Sequence, residues 1–429
     1  MLKAIPARSR KNITQARINI KFSHQMSQVL YDVTHTSHCH ANTGIQRVTR
    51  RLLAEWRESV PVQPVVYDHL AATWRIPDAK EMALAKFSNI RKPGEKRGAS
   101  WTWWQRTRGK LARMSLANVA EISGVQKGFI TCELFGPKIT AGVLETMKRR
   151  VEGPMVAVFH DMIALEKPEI SPSKTVMFYE DYLERLLRFD IIAANSEYSR
   201  DVLVNYWKKK KVAQSPEVIA MPLGVDIPNS QIPGNHAHKA GDPDGNKPPL
   251  ILCVGTLEGR KNHISLLSAC EKLWEQGLQF RLRLIGMLNT ETGTQAANEV
   301  QRLRNEGFPI EWNSGASDHD LAAAYGECKF TVYPSLIEGF GLPVLESIAH
   351  GRPCVCSGLT AMAEIARDGG CLAVGEPSAE NLASGIARLL GDSPLYEKFF
   401  QEAATRKIRT WSDYATAICG LFEKREQGL

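Results

Sequence analysis

The sequence has no long hydrophobic run. Nothing in it approaches the roughly 20 consecutive apolar residues that cross a bilayer, so any membrane contact is expected to be peripheral. The N-terminus lacks the apolar core of a secretory leader. Residues 1–31 instead carry six Lys/Arg and no acid, which reads as a basic tail over residues 1–26. Metal-type cysteine spacing is also missing: nine cysteines occur without a zinc or disulfide pattern. Cys354-x-Cys356 lies in a strand-like run, where residues two apart share a face, and Cys253 and Cys328 adjoin apolar segments. They read as small buried thiols of a reducing cytosol. Neither a metal nor a resident cofactor is expected. No internal repeat is visible.

At 429 residues, the chain exceeds one ordinary core and implies two domains of about 200 residues each. Strand-like and helix-like segments alternate, the pattern of a parallel α/β sheet. Strands are expected at 28–33, 62–67, 128–134, 155–159, 190–194 and 218–221. A second series runs through 250–254, 280–286, 310–313, 330–333, 354–357 and 371–374. Between the series, residues 227–249 are rich in Pro, Gly, Asn, Asp and His without apolar periodicity, and read as a linker. The expected units are therefore 27–226 and 250–405, followed by a last helix within 406–429 that returns to the first.

The most informative stretch is Pro334 to Ser347. A buried strand ends at a Pro-Ser pair, passes Gly339-Phe340-Gly341, and restarts as a helix near Leu342 or Pro343. Glycines admit a ligand close to the backbone, and a helix start offers N–H groups to an anion. Glu338 and Glu346 bracket this junction. Arg260 and Lys261 follow Gly255 at another strand-to-helix turn, where a planar donor and a point charge suit a diphosphate. In the first half, Gly44 opens a helix containing Gln46 after the first strand. His160-Asp161 follows the strand 155–159, at the end where parallel sheets bind ligands. Ser196 or Ser199 is placed to cap a helix.

These motifs, in this order, resemble the retaining GT-B glycosyltransferases of glycosyltransferase family 4. Glu338-x7-Glu346 is similar to that family's paired-carboxylate signature. Gly255-Thr256-Leu257-Glu258-Gly259-Arg260-Lys261-Asn262 matches its donor loop almost residue for residue. Thr43-Gly44-Ile45-Gln46-Arg47, His160-Asp161 and Ser196-Glu197-Tyr198-Ser199 resemble its first-domain motifs. The resemblance implies two Rossmann-like doubly wound domains facing across a cleft. It implies transfer of a hexose, mannose- or rhamnose-like, from a nucleotide-diphosphate sugar to a saccharide or lipid-linked acceptor, in surface polysaccharide synthesis. Arg260 and Lys261 would then neutralise the diphosphate, Glu338 would bind sugar hydroxyls, and Glu346 the ribose. Gly255 and the backbone of Gly339, Phe340, Gly341 and Leu342 would line the donor site. His160, with Gly44, Gln46, Asp161 and Ser196, would orient the acceptor or sugar. The turn at 312–315 is where the family contacts the base.

Two other readings share the architecture. A phosphorylase or hydrolase is one, although the lysine context of a pyridoxal-phosphate enzyme is not found. The other is a non-catalytic module that binds membrane or nucleic acid on a degenerate scaffold, against which the presence of all four charged residues counts. Residues 71–120 match nothing in the family and read as an insertion. Between Lys86 and Arg113, nine Lys/Arg stand against one acid, interleaved with Trp101, Trp103 and Trp104. Exposed indoles and cations suit an anionic membrane surface through residues 86–113, or a solvated insertion; nucleic acid is not the expected partner. The expected location is the cytoplasm, either free or peripheral on the inner face of the cytoplasmic membrane.

Overall fold

A computed structural model describes residues 28–42, 44–86, 100–114, 122, 124, 126–228 and 247–423. The basic tail, Thr43, most of the 227–249 linker, and residues 87–99 and 115–120 of the insertion lie outside the described residues.

The first half runs β1 (Val29–Asp32), α1 (Gly44–Ser59), β2 (Val62–Asp68), β3 (Thr73–Arg75), α2 (Ala79–Ala85), α3 (Trp103–Arg113), β4 (Gly128–Thr131), α4 (Ala141–Lys148), β5 (Met155–Phe159), α5 (Ile163–Glu166), α6 (Ser173–Leu186), β6 (Ile191–Ala194), α7 (Glu197–Lys209) and β7 (Glu217–Ala220). The second runs β8 (Leu250–Val254), α8 (His263–Glu275), β9 (Arg281–Ile285), α9 (Thr294–Asn305), β10 (Ile310–Asn313), α10 (Asp318–Glu327), β11 (Phe330–Tyr333), α11 (Leu342–Ala349), β12 (Cys354–Cys356), α12 (Thr360–Arg367), β13 (Cys371–Ala373), α13 (Ala379–Gly391), α14 (Ser393–Thr405) and α15 (Trp411–Glu423).

The strands form two sheets, ordered β3-β2-β1-β4-β5-β6-β7 and β10-β9-β8-β11-β12-β13. All pairings are parallel except β2–β3 at an edge. Central strands are apolar on both faces because helices cover both, as parallel sheets require. α1 buries Val48, Leu52, Leu53 and Trp56, spaced to form one helical stripe. In each sheet the strand order reverses once, between β1 and β4 and between β8 and β11. Such reversals leave a crevice at the carboxyl ends of the strands.

The chain crosses back to the first sheet at residues 406–410. Val225 N–H donates to the Arg409 carbonyl at 3.0 Å. α15 then packs on α1, with Trp56 Nε1 donating to the Ala415 carbonyl at 3.0 Å.

The described parts of the insertion, residues 71–86 and 100–114, form regular elements. β3 extends the sheet, and α2 and α3 start with capping boxes, Asp78/Glu81 and Thr102/Gln105. A buried network ties them to the loop after β1. Arg75 makes ion pairs with Asp68 (2.9 Å) and Glu81 (2.6 Å), and Glu81 meets His38 Nε2 at 3.1 Å. The expectation of three exposed tryptophans is corrected here. Trp101 is half-buried and stacks on His38, ring centroids 4.0 Å apart. It is held there because Ser100 N–H, next to it, donates to the His38 carbonyl. Trp103 and Trp104 are 65% and 73% exposed.

Candidate functional site

The second sheet's reversal brings two loops together. The β8 loop carries Gly255, then Arg260 and Lys261; the β11 loop carries Pro334 to Gly341. They are stitched by Leu336 N–H donating to the Arg260 carbonyl at 2.9 Å. Asn262 Nδ2 also donates to the carbonyls of Pro334 (3.2 Å) and Pro377 (2.8 Å). Asn262 adopts a left-handed conformation, φ +54°, which Asn tolerates better than most residues.

Glu338 is the centre of this arrangement. Its Oε1 lies 2.6 Å from Lys261 Nζ and 2.7 Å from Arg260 Nη1, and accepts from the Tyr333 hydroxyl at 3.0 Å. Lys261 also bonds the Tyr333 hydroxyl, and Arg260 pairs with Glu258 at 2.7 Å. Burial pushes the Glu338 carboxyl up, but Arg260 and Lys261 outweigh it and hold the pKa down at about 2. Burial and the neighbouring Arg260 lower Lys261, with Glu338 opposing them. Burial also works against the Arg260 charge, yet Glu338 and Glu258 more than offset it. Glu338 is therefore held ionised between Arg260 and Lys261.

Glu346 lies beyond the glycine turn on α11. It does not touch the Glu338 cluster. One carboxylate oxygen accepts from the Tyr325 hydroxyl at 3.3 Å, and the other meets Arg47 of α1, from the opposite domain.

The first domain closes over the glycine turn. Ser196 caps α7 and its Oγ donates to the Gly339 carbonyl at 2.6 Å; Ser199 Oγ reaches the same carbonyl at 3.1 Å. A Cβ at Gly339 would stand 2.1 Å from the His160 carbonyl, so only glycine permits this approach. Gly341, φ +107°, caps α11, whose first turn holds Leu342. His160 Nε2 donates to the Cys132 carbonyl at 2.7 Å, which leaves Nδ1 as the basic nitrogen. Burial lowers the His160 pKa and raises that of Asp161, which Arg260 pulls back down from across the cleft.

Gly44 begins α1, and Gln46 is buried 3.3 Å from His35 Nδ1. Thus Arg260, Lys261, Glu338, Gly339, His160, Asp161 and Ser196 meet at one seam. Glu346 lies alongside, and Gln46 stands further back. Sequence reasoning read Ser199 only as a candidate helix cap and Arg47 only as part of the Gly44 motif, and assigned no role to Tyr333 or to a carboxylate pair under the β1–β4 reversal. There Asp32 accepts from Thr34 N–H (2.9 Å) and Thr131 Oγ1 (3.0 Å), while Glu133 accepts from the N–H groups of His35 and Thr36, both 2.6 Å. Tyr333 ends a strand just before the Pro-Ser break, a position that could have flagged it.

Residues 237–406 match the sequence family described as glycosyl transferases group 1. The chain carries a glycosyl transferases group 1 domain. The serotype-specific mannosyltransferase WbdA of Escherichia coli is 25% identical over 397 residues, 88% of this chain and 44% of that protein. O-antigen chain mannosyltransferase B of Escherichia coli is 31% identical over 225 residues, 51% of this chain and 56% of that protein. The chain thus spans about half the length of these curated relatives. Among solved structures, Anabaena Alr3699/HepE, crystallised with UDP and glucose, superposes with a TM-score of 0.61 at 14% identity, covering 93% of this chain and 100% of that one. The fold is GT-B. In it, the group 1 domain contributes the Arg260–Lys261–Glu338 cluster, and the first domain supplies the facing wall.

Proposed function

We propose that the protein is a retaining hexosyltransferase of glycosyltransferase family 4. It would move a mannose- or rhamnose-like sugar from a nucleotide-diphosphate donor to a saccharide or lipid-linked acceptor in surface polysaccharide synthesis. The mannosyltransferase relatives support the choice of sugar. The observation that carries the reading is the convergence of Arg260 and Lys261 on Glu338 under the β8–β11 reversal. When a diphosphate enters, it offers both cations stronger partners than one shared carboxylate oxygen. The cations turn to the phosphates, and Glu338 is released toward the sugar hydroxyls.

As the glycosidic bond breaks, negative charge grows on the leaving diphosphate, and these preorganised cations stabilise it. The protein's own charges do this task, so the reaction proposed draws on no metal ion. The acceptor hydroxyl enters on the face that the diphosphate leaves, so the paired-carboxylate geometry of a glycosidase is not used. Asp161 and the Nδ1 of His160 stand on the acceptor side and orient the incoming group.

No helix among the described residues is long and apolar enough to cross a membrane. Exposed Trp103 and Trp104, beside Arg106, Lys110 and Arg113 on α3, support peripheral docking on the anionic inner face of the cytoplasmic membrane.

The test is a thermal-shift panel of GDP-, UDP- and dTDP-sugars, with and without EDTA. A ligand that binds the folded state raises the melting temperature by mass action. One nucleotide class is expected to stand out, with EDTA leaving its shift unchanged. A flat panel would remove the donor reading, and a shift abolished by EDTA would bring a metal into it.

A further inference from the structure

Glu346 is nearly inaccessible, 6% exposed, and each of its carboxylate oxygens is held by a different domain. Tyr325 is a group 1 domain residue, fixed by stacking on His350 with ring centroids 4.4 Å apart. Arg47 comes from the fourth position of α1, across the cleft. Among the described residues Arg47 is the cation paired with Glu346, and that carboxylate is the leading cause of its raised pKa. The root of the pair is fixed as well. Arg47 Nη2 stands 3.8 Å from Asp226 Oδ2, and Arg51, one turn further on, pairs with the same Asp226. Asp226 directly follows Val225, the residue bonded to the 406–410 crossover. The α1 face that reaches Glu346 is thereby tied to the place where the two domains join.

A carboxylate offers about four acceptor positions, two on each oxygen. Tyr325 bonds Oε2, whereas Arg47 faces Oε1 as an ion pair and leaves that oxygen a buried acceptor without a hydrogen-bond partner among the described residues, which a ribose hydroxyl can complete. We propose that Arg47 is a positioning residue for the donor: it holds the Glu346 carboxylate oriented and charge-balanced, so that the nucleotide ribose is bound fully only when the first domain is closed. This rests on the donor reading above and adds to it a residue from the opposite domain. By reciprocity, whatever closure adds to donor affinity, the donor adds to closure. Removing Arg47 would leave a buried carboxylate without its counter-charge, a costly arrangement.

The test titrates the 429-residue chain with GDP, UDP and dTDP, and separately with inorganic pyrophosphate, which has no ribose. Wild type, Arg47→Ala, Arg47→Lys, Glu346→Gln and the Arg47→Ala/Glu346→Gln pair are compared. Arg47→Ala is expected to weaken the preferred nucleotide about tenfold or more, with Arg47→Lys recovering part of the loss. Pyrophosphate affinity should stay within about twofold, because that ligand reads the Arg260–Lys261 end of the site. In the Glu346→Gln background, Arg47→Ala should add little further loss. In steady state the donor KM should rise while kcat changes much less.

Three results would overturn the inference: unchanged nucleotide affinity in Arg47→Ala, tighter binding (Arg47 would then be a competitor of the ribose), or equal loss of nucleotide and pyrophosphate. The last would mark a general structural defect, and Arg47→Lys, which keeps the charge, checks it. A wild-type chain that binds pyrophosphate and none of the nucleotides would instead sink the donor reading.

Discussion

The two sheets reverse their strand order once each, and each reversal gathers carboxylates at its crevice. They are treated in opposite ways. Under β8–β11, Glu338 is surrounded by Arg260, Lys261 and the Tyr333 hydroxyl, and stays ionised with a pKa near 2. Under β1–β4, Asp32 and Glu133 pair with no Lys or Arg among the described residues; they are held by hydroxyls and backbone N–H groups. Burial, with the neighbouring Glu133, pushes Asp32 up to about 7, and burial raises Glu133 too. One crevice is built to exchange charge with an anion. The other uses carboxylates as internal struts, and by bonding His35 and Thr36, Glu133 shapes the loop that faces the cleft.

The strongest way to break this contrast is at the charged crevice. Lys261→Ala and Glu338→Gln should each lower transfer by at least about 10²–10³-fold, the usual loss when one preorganised charge partner is removed. Circular dichroism should show both still folded. Initial rates with the nucleotide class chosen by thermal shift make the measurement. Near-normal turnover in either variant would return this cluster to a structural role.

Much of that crevice was readable along the chain because its parts are contiguous. Gly255 to Asn262 and Pro334 to Glu346 each compress a strand end, a turn and a helix start into a short stretch with unusual residue types. The strands of both sheets were readable for a related reason, since buried parallel strands are short apolar runs bounded by breakers. What escaped was non-local. Arg47 lies one helical turn inside an amphipathic pattern, and only the folded chain brings it to Glu346, 299 positions away. The insertion misled because its cations and tryptophans dominate its composition. Its capping boxes, Asp78 to Glu81 and Thr102 to Gln105, were legible signals of two helices. The burial of Glu81 beneath Arg75 and His38 was not.

The strut crevice should reveal itself through pH. Asp32 has a folded pKa of about 7 against an ordinary 3.8. A carboxyl raised on folding favours the folded state fully only below its unfolded value, and that contribution is lost as pH rises through the folded value. Wild-type stability should therefore carry a loss between pH about 4 and about 7 that Asp32→Asn lacks. The melting temperature of Asp32→Asn minus that of wild type should become more positive from pH 5 to pH 8, by roughly 2–4 °C if about 1 kcal/mol is involved. A difference that is flat or falls with pH would mean that Asp32 is ionised like Glu338, and the contrast would disappear.

The smallest effect expected concerns the outer surface of the first domain. Its helix α3 is pinned from beneath: Gln105 bonds Glu81 at 3.1 Å, and a Cβ at Gly109 would lie 2.8 Å from the Leu70 side chain. The buried side cannot be altered without disturbing the His38 network, whereas Trp103 and Trp104 project away from it. Replacing those two with Ser should weaken sedimentation with anionic vesicles several-fold, since indoles favour headgroup depth and adjoining cations add attraction at low salt. Nucleotide affinity should not change, because the substitutions touch neither crevice. Trp101 is the internal control. Trp101→Ser would open the His38 stack and should lower thermal stability, which Trp103→Ser and Trp104→Ser should not do. If vesicle binding survives loss of both exposed indoles, the cations of α3 account for it without them, and the tryptophans need another partner, such as the saccharide acceptor itself.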